Sequence, residues 1–190
     1  MTISGELWTS SAPEATGRQL VQLPPSVIDA LGNGDLKPAR DLSTQALTPY
    51  LITDECRSVW RMRSAQIKVD PQEAVWVTRI VVDSDTGAIL GLAGYHGKPN
   101  LDGMVEVGYA IDPLYRRQGH ARAALKILLD VASNDPRVKV VRATVQPDNL
   151  PSRKLINHYG FHEVGEQWDE EDGLEVILEI SILKNMSCPG

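Results

Sequence analysis

Gly119 stands at the centre of the stretch Arg116-Arg117-Gln118-Gly119-His120-Ala121-Arg122, and this combination of residue types is suited to holding an anion. A helix that begins at Gly119 would present unpaired backbone N–H groups and the positive end of its dipole. Gly119 has no side chain and Ala121 a small one, so a ligand can come close to the backbone. Arg116, Arg117 and Arg122 add positive charge at the same place. Together these features describe a seat for a phosphate or pyrophosphate. The competing reading is an ordinary helix start ringed by solvated arginines. The surrounding elements weigh against it.

Those elements are a strand, a stop and a helix. Val105, Val107, Tyr109 and Ile111 fall on one face of a predicted strand, and Glu106, Gly108 and Ala110 on the other. Pro113 ends the ladder because it has no N–H to donate. Beyond Gly119, the residues Ala121, Ala124, Leu125, Leu128, Leu129 and Ala132 repeat at i, i+3, i+4, i+7, i+8 and i+11, the buried stripe of an amphipathic helix.

With these residues in place, the run from Arg116 to Ala121 resembles the Arg/Gln-x-x-Gly-x-Gly/Ala signature of the GNAT superfamily of N-acetyltransferases. Glu106-Val107-Gly108-Tyr109 is similar to the branch containing the Rim-type ribosomal-protein acetyltransferases. The resemblance is strongest over residues 75–182. It implies that Arg116, Arg117, Gln118, Gly119, His120 and Ala121 hold the pyrophosphate of acetyl-CoA, the expected co-substrate. A second match runs through Asn149, Ser152 and Leu155 to Gly160-Phe161. In relatives, Asn and Ser at these positions lie along the pantetheine arm. The alternative for Asn149 and Ser152 is a capped helix whose side chains bond only their own backbone.

The composition sets limits. At 190 residues, with 42% hydrophobic and 23% charged residues, the chain reads as one globular domain. A net charge of −6 argues against a nucleic-acid partner, which usually meets a basic face. Cys56 and Cys188 fit neither a metal-ligand spacing nor a disulfide framework. His158 and His162 are four apart, but Gly160 breaks the helix between them, so no metal site is expected. The sequence carries no secretory signal pattern and no run of about 18 apolar residues. A cytoplasmic, membrane-free protein is the expectation.

In chain order, residues 1–17 read as a loose arm, residues 18–184 as a single N-acetyltransferase domain and residues 185–190 as a tail. Residues 18–23 are expected to form an edge strand. Ser26 is expected to cap a short helix over 27–31, ending at Gly32-Asn33-Gly34. Residues 35–50 show little periodicity. Thr53, followed by Asp54 and Glu55, reads as the cap of a helix to about Lys68 that buries Cys56, Val59, Trp60 and Ile67. Residues 75–82 and 88–95 form a predicted hairpin turning at Gly87, with Gly91 and Gly94 marking a bulge or a close backbone neighbour. A strand over 138–145, a helix ending at Gly160 and a last hairpin around the acidic turn 169–173 complete the reading.

Acetyl transfer to an amine has three requirements. The amine must be neutral to attack, against an ordinary lysine-type pKa of about 10.4. The thioester oxygen needs an N–H donor. The thiolate must leave. Glu106, beside the small residues Gly108 and Ala110, is the candidate base, acting directly or through a water. Its alternative is a carboxylate that only orients the substrate. The backbone of Ala110, Ile111 and Asp112 is the expected donor, because in the superfamily this strand parts from its neighbour and pantetheine inserts between them. For the third requirement the chain departs from the pattern: Ile156 stands where many relatives place a proton-donating tyrosine, and Tyr159 lies three residues on. His96 and Tyr109 are candidates for lining the acceptor pocket.

The expected fold is α/β, a mixed and mostly antiparallel sheet of six to seven strands flanked by helices, with splayed central strands. The expected activity is acetyl-CoA-dependent acetylation of a primary amine on a small molecule or peptide, by direct attack in a ternary complex. The alternative is an acyl-CoA-binding sensor without turnover. Oligomeric state is left open, a homodimer being one option.

Overall fold

The computed structural model of the chain describes residues 7–170 and 173–182. Among these, eight strands build one sheet: β1 (Leu7–Trp8), β2 (Arg18–Val21), β3 (Arg79–Asp83), β4 (Ile89–Tyr95), β5 (Met104–Ile111), β6 (Val140–Val145), β7 (His162–Asp169) and β8 (Gly173–Ser181). The α-helices are α1 (Pro25–Asn33), α2 (Leu36–Asp41), α3 (Asp54–Val69), α4 (His120–Asn134) and α5 (Leu150–His158). The strands lie in the order β1-β2-β3-β4-β5-β6-β8-β7. Neighbours run antiparallel except β5 and β6, which run parallel.

That one parallel pair shapes the molecule. β5 and β6 pair only at Met104–Val140, Val105–Val141 and Glu106–Arg142. Beyond these residues β5 continues to Ile111 and β6 to Val145 with no partner between them. The splay expected of the central strands is therefore present, between the fifth and sixth strands.

Alternation along the strands feeds two cores. Ala93, Tyr95, Val105, Val107, Val141 and Ala143 point to the face covered by α4, where Leu125 and Leu128 are fully buried. Leu92, Ile80 and Val82 point to the other face, against Leu31 of α1 and Trp60 of α3. β4 serves both cores, which is why every residue in it is buried and its sequence is an unbroken apolar and glycine run. Thr53 caps α3 as its sequence predicts, accepting a bond from the Cys56 amide. The β3–β4 ladder slips by one residue between Val81 and Val82, the bulge that Gly91 signals.

Several expectations need correction. Leu7–Trp8 pairs with Val21 and Leu20, so β2 is an interior strand and the described part of the supposed loose arm is docked. The reason is Trp8, 4% exposed, whose ring carries the Arg79 guanidinium 3.6 Å from its centroid. Ser26 does not cap α1; Pro24 takes the cap position, and Pro25 starts the helix with no side-chain cap bond. The stretch 35–50, which lacked periodicity, contains the six-residue α2 and runs into a 3-10 turn, Pro49–Ile52. The third strand begins at Arg79, because Pro71–Val75 forms another 3-10 turn. The 185–190 tail, with Cys188, lies outside the described residues, as do Glu171 and Asp172 of the acidic turn. No helix among the described residues is long and apolar enough to cross a membrane.

Candidate active site

β5 ends at Ile111. Asp112 then accepts a bond from the Leu114 amide at 2.9 Å and starts a 3-10 turn, Pro113–Tyr115, which leads the chain to the arginine pair. Arg116 turns back and donates from Nε to the Ile111 carbonyl at 2.9 Å. Arg117 is the one non-glycine residue with positive φ among the described residues, at 66°. A backbone held in that sparsely populated region costs on the order of 1–3 kcal/mol and tends to mark a functional loop.

Gly119 follows at φ 86°, a left-handed cap that a side chain would strain. A Cβ placed there would meet nothing within 4 Å. The first amides of α4 thus open onto unfilled space, with no side chain capping them. The space is a cleft of about 650 Å³ whose walls include Ala110, Ile111, Arg116, Arg117, Gly119, His120, Ala121 and Arg122. Gln118 sits in the same turn but is not part of the wall.

His120 differs from expectation. It is 5% exposed, and its Nδ1 accepts a bond from Arg18 Nε at 3.0 Å. Arg18 is itself paired with Asp83 at 3.2 Å. Burial, with help from the Arg18 charge, holds the imidazole below its ordinary pKa. The ring therefore braces the helix start against β2 rather than lying free against a ligand, and only its Nε2 side remains available to the cleft.

The amides of β5 divide between its neighbour β4 and the gap. The Asp112 amide donates to Leu90 at 2.9 Å and the Glu106 carbonyl accepts from His96, so even-numbered residues of β5 face β4. Ladder directions alternate along a strand, so Ala110 shares that engagement. The amides turned to the gap are those of Val107, Tyr109 and Ile111. Of the three amides named from sequence, that of Ile111 turns to the gap, and those of Ala110 and Asp112 turn to β4. Ala110 still contributes its exposed surface to the cleft.

On the α3 face lies a second cavity of about 400 Å³. Glu106 is not among its lining residues, but it bonds to one: its Oε1 accepts from Thr144 Oγ1 at 2.8 Å, across the parting strands. His96 places Nδ1 3.5 Å from the same carboxylate oxygen. Arg63 of α3 is 6% exposed and donates to Thr78 Oγ1 and to the His96 carbonyl. Burial pulls the His96 pKa down, Glu106 opposes that, and Arg63 adds to it.

The two spaces meet in the gap. Tyr109, Ala110, Asn149 and Ser152 line both. The Tyr109 hydroxyl lies 2.8 Å from Ser152 Oγ. Asn149 Oδ1 accepts from the Ser152 amide at 3.2 Å and so caps α5, as its local reading allowed. Ile156 is buried in the core, and the Tyr159 hydroxyl points away to the Arg122 carbonyl and Glu14. Trp76 is core, whereas Trp168 is 76% exposed on β7.

Arg63, Thr78, Thr144 and Glu175 line the cavity on the α3 face and were not singled out from sequence. For Thr144 a signal existed: it shares a strand face with Arg142, and Arg142 pairs with Glu106 in register. For Arg63 none did, because an arginine on a helix usually reads as solvated.

Comparison with known proteins agrees with this geometry. The profile described as acetyltransferase (GNAT) domain matches residues 36–162. The uncharacterized N-acetyltransferase YjdG of Bacillus subtilis (strain 168) is 26% identical over 143 residues, 75% of this chain and 83% of its own. The ribosomal-protein-S5-alanine acetyltransferase of Vibrio fischeri superposes with a TM-score of 0.61 at 19% identity, covering 91% of this chain and 96% of that one. RimL, a ribosomal L7/L12 alpha-N-protein acetyltransferase solved in complex with coenzyme A, gives 0.63 at 16% identity, covering 90% and 97%. The profile spans about two thirds of the sequence, across β3 to α5 and the arginine–glycine turn, and the chain belongs to the GNAT acetyltransferase family, an acyltransferase of the N-acetyltransferase type.

Proposed function

We propose that the protein transfers the acetyl group of acetyl-CoA to a primary amine of a small molecule or peptide, by direct attack in a ternary complex. The observation that carries this reading is the meeting of two separate spaces at Tyr109 and Ser152, inside the gap between β5 and β6. The α4-side cleft suits a diphosphate: bare helix amides and Arg116, Arg117 and Arg122 surround it. The solved complexes of RimL with coenzyme A and of the microcin immunity protein MccE with acetyl-CoA support the same choice of ligand. The pantetheine arm would run along β5 as an added strand on the Val107, Tyr109 and Ile111 ladder positions.

The acceptor would enter from the α3 face. Glu106, steadied by Thr144, attracts the ammonium and orients it on that side. A β5 amide turned to the gap takes the negative charge on the thioester oxygen. As the C–N bond forms and the C–S bond breaks, the Tyr109–Ser152 hydroxyl pair supplies the leaving sulfur with a proton. This pair would take over from the tyrosine that Ile156 replaces.

The test combines calorimetry with acetyl-CoA and release of free coenzyme A over a panel of small amines and peptides. Binding near 1:1 together with amine-dependent release supports the reading. Binding without release for any amine supports an acyl-CoA sensor in its place.

A further inference from the structure

The main chain of His96 is held on both sides, and its ring lies between Glu106 and Gly108. Its amide donates to the Glu106 carbonyl at 2.8 Å. Its carbonyl accepts from Arg63 Nη1 at 3.1 Å and from Gln66 Nε2 at 2.8 Å. Its Nδ1 lies 3.5 Å from Glu106 Oε1. Its Nε2 hangs over Gly108, where a Cβ would come within 2.8 Å of that nitrogen. The ring is nonetheless 45% exposed and lines the acceptor-side cavity. A solvent-facing histidine of a surface loop would not need its main chain held from both sides, nor a glycine cut away beneath its ring.

From this arrangement we infer that His96 is the catalytic base: Nε2 takes the proton of the acceptor ammonium, while Glu106 positions the ring from Nδ1. The inference rests on the amine-acetylation reading and assigns its proton to an atom. The logic is that of a carboxylate fixing an imidazole tautomer so that the opposite nitrogen keeps its lone pair. The acceptor R–NH3+ gives one proton to Nε2, and the free amine attacks the thioester carbon. The C–S bond breaks with its electron pair leaving on sulfur. The Tyr109–Ser152 pair gives the sulfur its proton and is reloaded by the second proton on nitrogen, and His96 returns the first proton to solvent. One ammonium and one thioester become one amide, one thiol and one released proton.

The groups around the ring suit a base that is neutral near pH 7. Glu106 faces it from β5 and Arg63 from α3, and Thr144 holds the carboxylate from β6. Further out, Glu73 accepts from the Lys98 amide beside Gly97, and Lys98 pairs with Asp70. Burial outweighs the pull of Glu106 and lowers the imidazole pKa.

The experiment pairs kinetics with spectroscopy. His96→Gln is expected to lower kcat by about 10²–10⁴-fold, the usual worth of a positioned base. It should leave acetyl-CoA affinity unchanged and remove the acidic limb of the kcat/KM profile. Glu106→Gln should cost less and shift that limb rather than remove it. Histidine ¹⁵N shifts of the wild-type protein should give an Nδ1–H tautomer with Nε2 bare. An Nε2–H tautomer, or a His96→Gln enzyme that keeps its rate and its acidic limb, overturns the assignment. A wild type that acetylates no amine would instead sink the proposed activity, and the tautomer would still be read independently.

Discussion

Gly119→Ala separates conformation from contact. The φ of 86° disfavours any side chain, and the surroundings are empty, so no clash adds to the strain. A stability loss of about 1 kcal/mol is expected, that of forcing an L-residue into the left-handed region. Calorimetry should register a coenzyme A affinity at least tenfold weaker, since the new methyl stands on the diphosphate's side of the helix start. Arg117→Gln should weaken the same binding and flatten its salt dependence, while Arg116→Gln should also destabilise the loop by releasing the Ile111 carbonyl. Tyr109→Phe removes the hydroxyl shared with Ser152. If that pair protonates the sulfur, kcat falls with little change in acetyl-CoA affinity. An unchanged kcat would mean the thiolate leaves unaided. At this scale the turn and helix start at Gly119 were legible, because their pattern sits in six consecutive residues. The inward turn of His120 was not, since its partner Arg18 is far away in sequence.

Among elements, the short β1 contributes more than its two residues suggest. Arg79 is fully buried, its Nε and Nη1 have no hydrogen-bond partner among the described residues, and burial pushes its pKa down to about 9. The face of Trp8 is what receives this guanidinium. Trp8→Ala should therefore cost about 3–5 kcal/mol, the usual range of buried aromatic truncations, and a urea melt measures it. The sequence could not announce this strand. A two-residue pairing has no periodicity, and its anchor is a residue some seventy positions along the chain. The longer elements were readable because each satisfies its own pattern. The alternation of β5 and β6, the stripe of α4 and the Thr53 cap of α3 all stand where local rules put them. The side-chain meeting of Glu106 and Thr144 depends on how two strands register, and no single strand encodes that.

At the scale of the whole molecule, pH acts through its two depressed histidines. His96 and His120 both sit below the ordinary value of about 6.5 that they regain on unfolding. The unfolded chain then binds more protons on the acid side of that value. Stability is fully present above pH 6.5 and declines as pH drops from there through the folded-state values. The carboxylates with shifted pKa, Asp29, Asp70 and Asp83, are lowered from 3.8 and act only at still lower pH. Denaturation midpoints at pH 7.5 and 5.5 should differ in the stated direction, and a flat response would contradict it. The described residues also offer no nucleophilic cysteine at the gap: Cys56 is buried in the other core. Initial-rate plots should accordingly intersect; parallel lines would indicate a covalent acetyl-enzyme. One space opens beside α4 and the other beside α3, so the sheet has a mouth on each side. Under the proposed reading neither guest would have to queue behind the other: loading would happen in either order, and each spent product would depart by its own door while the opposite one stayed occupied.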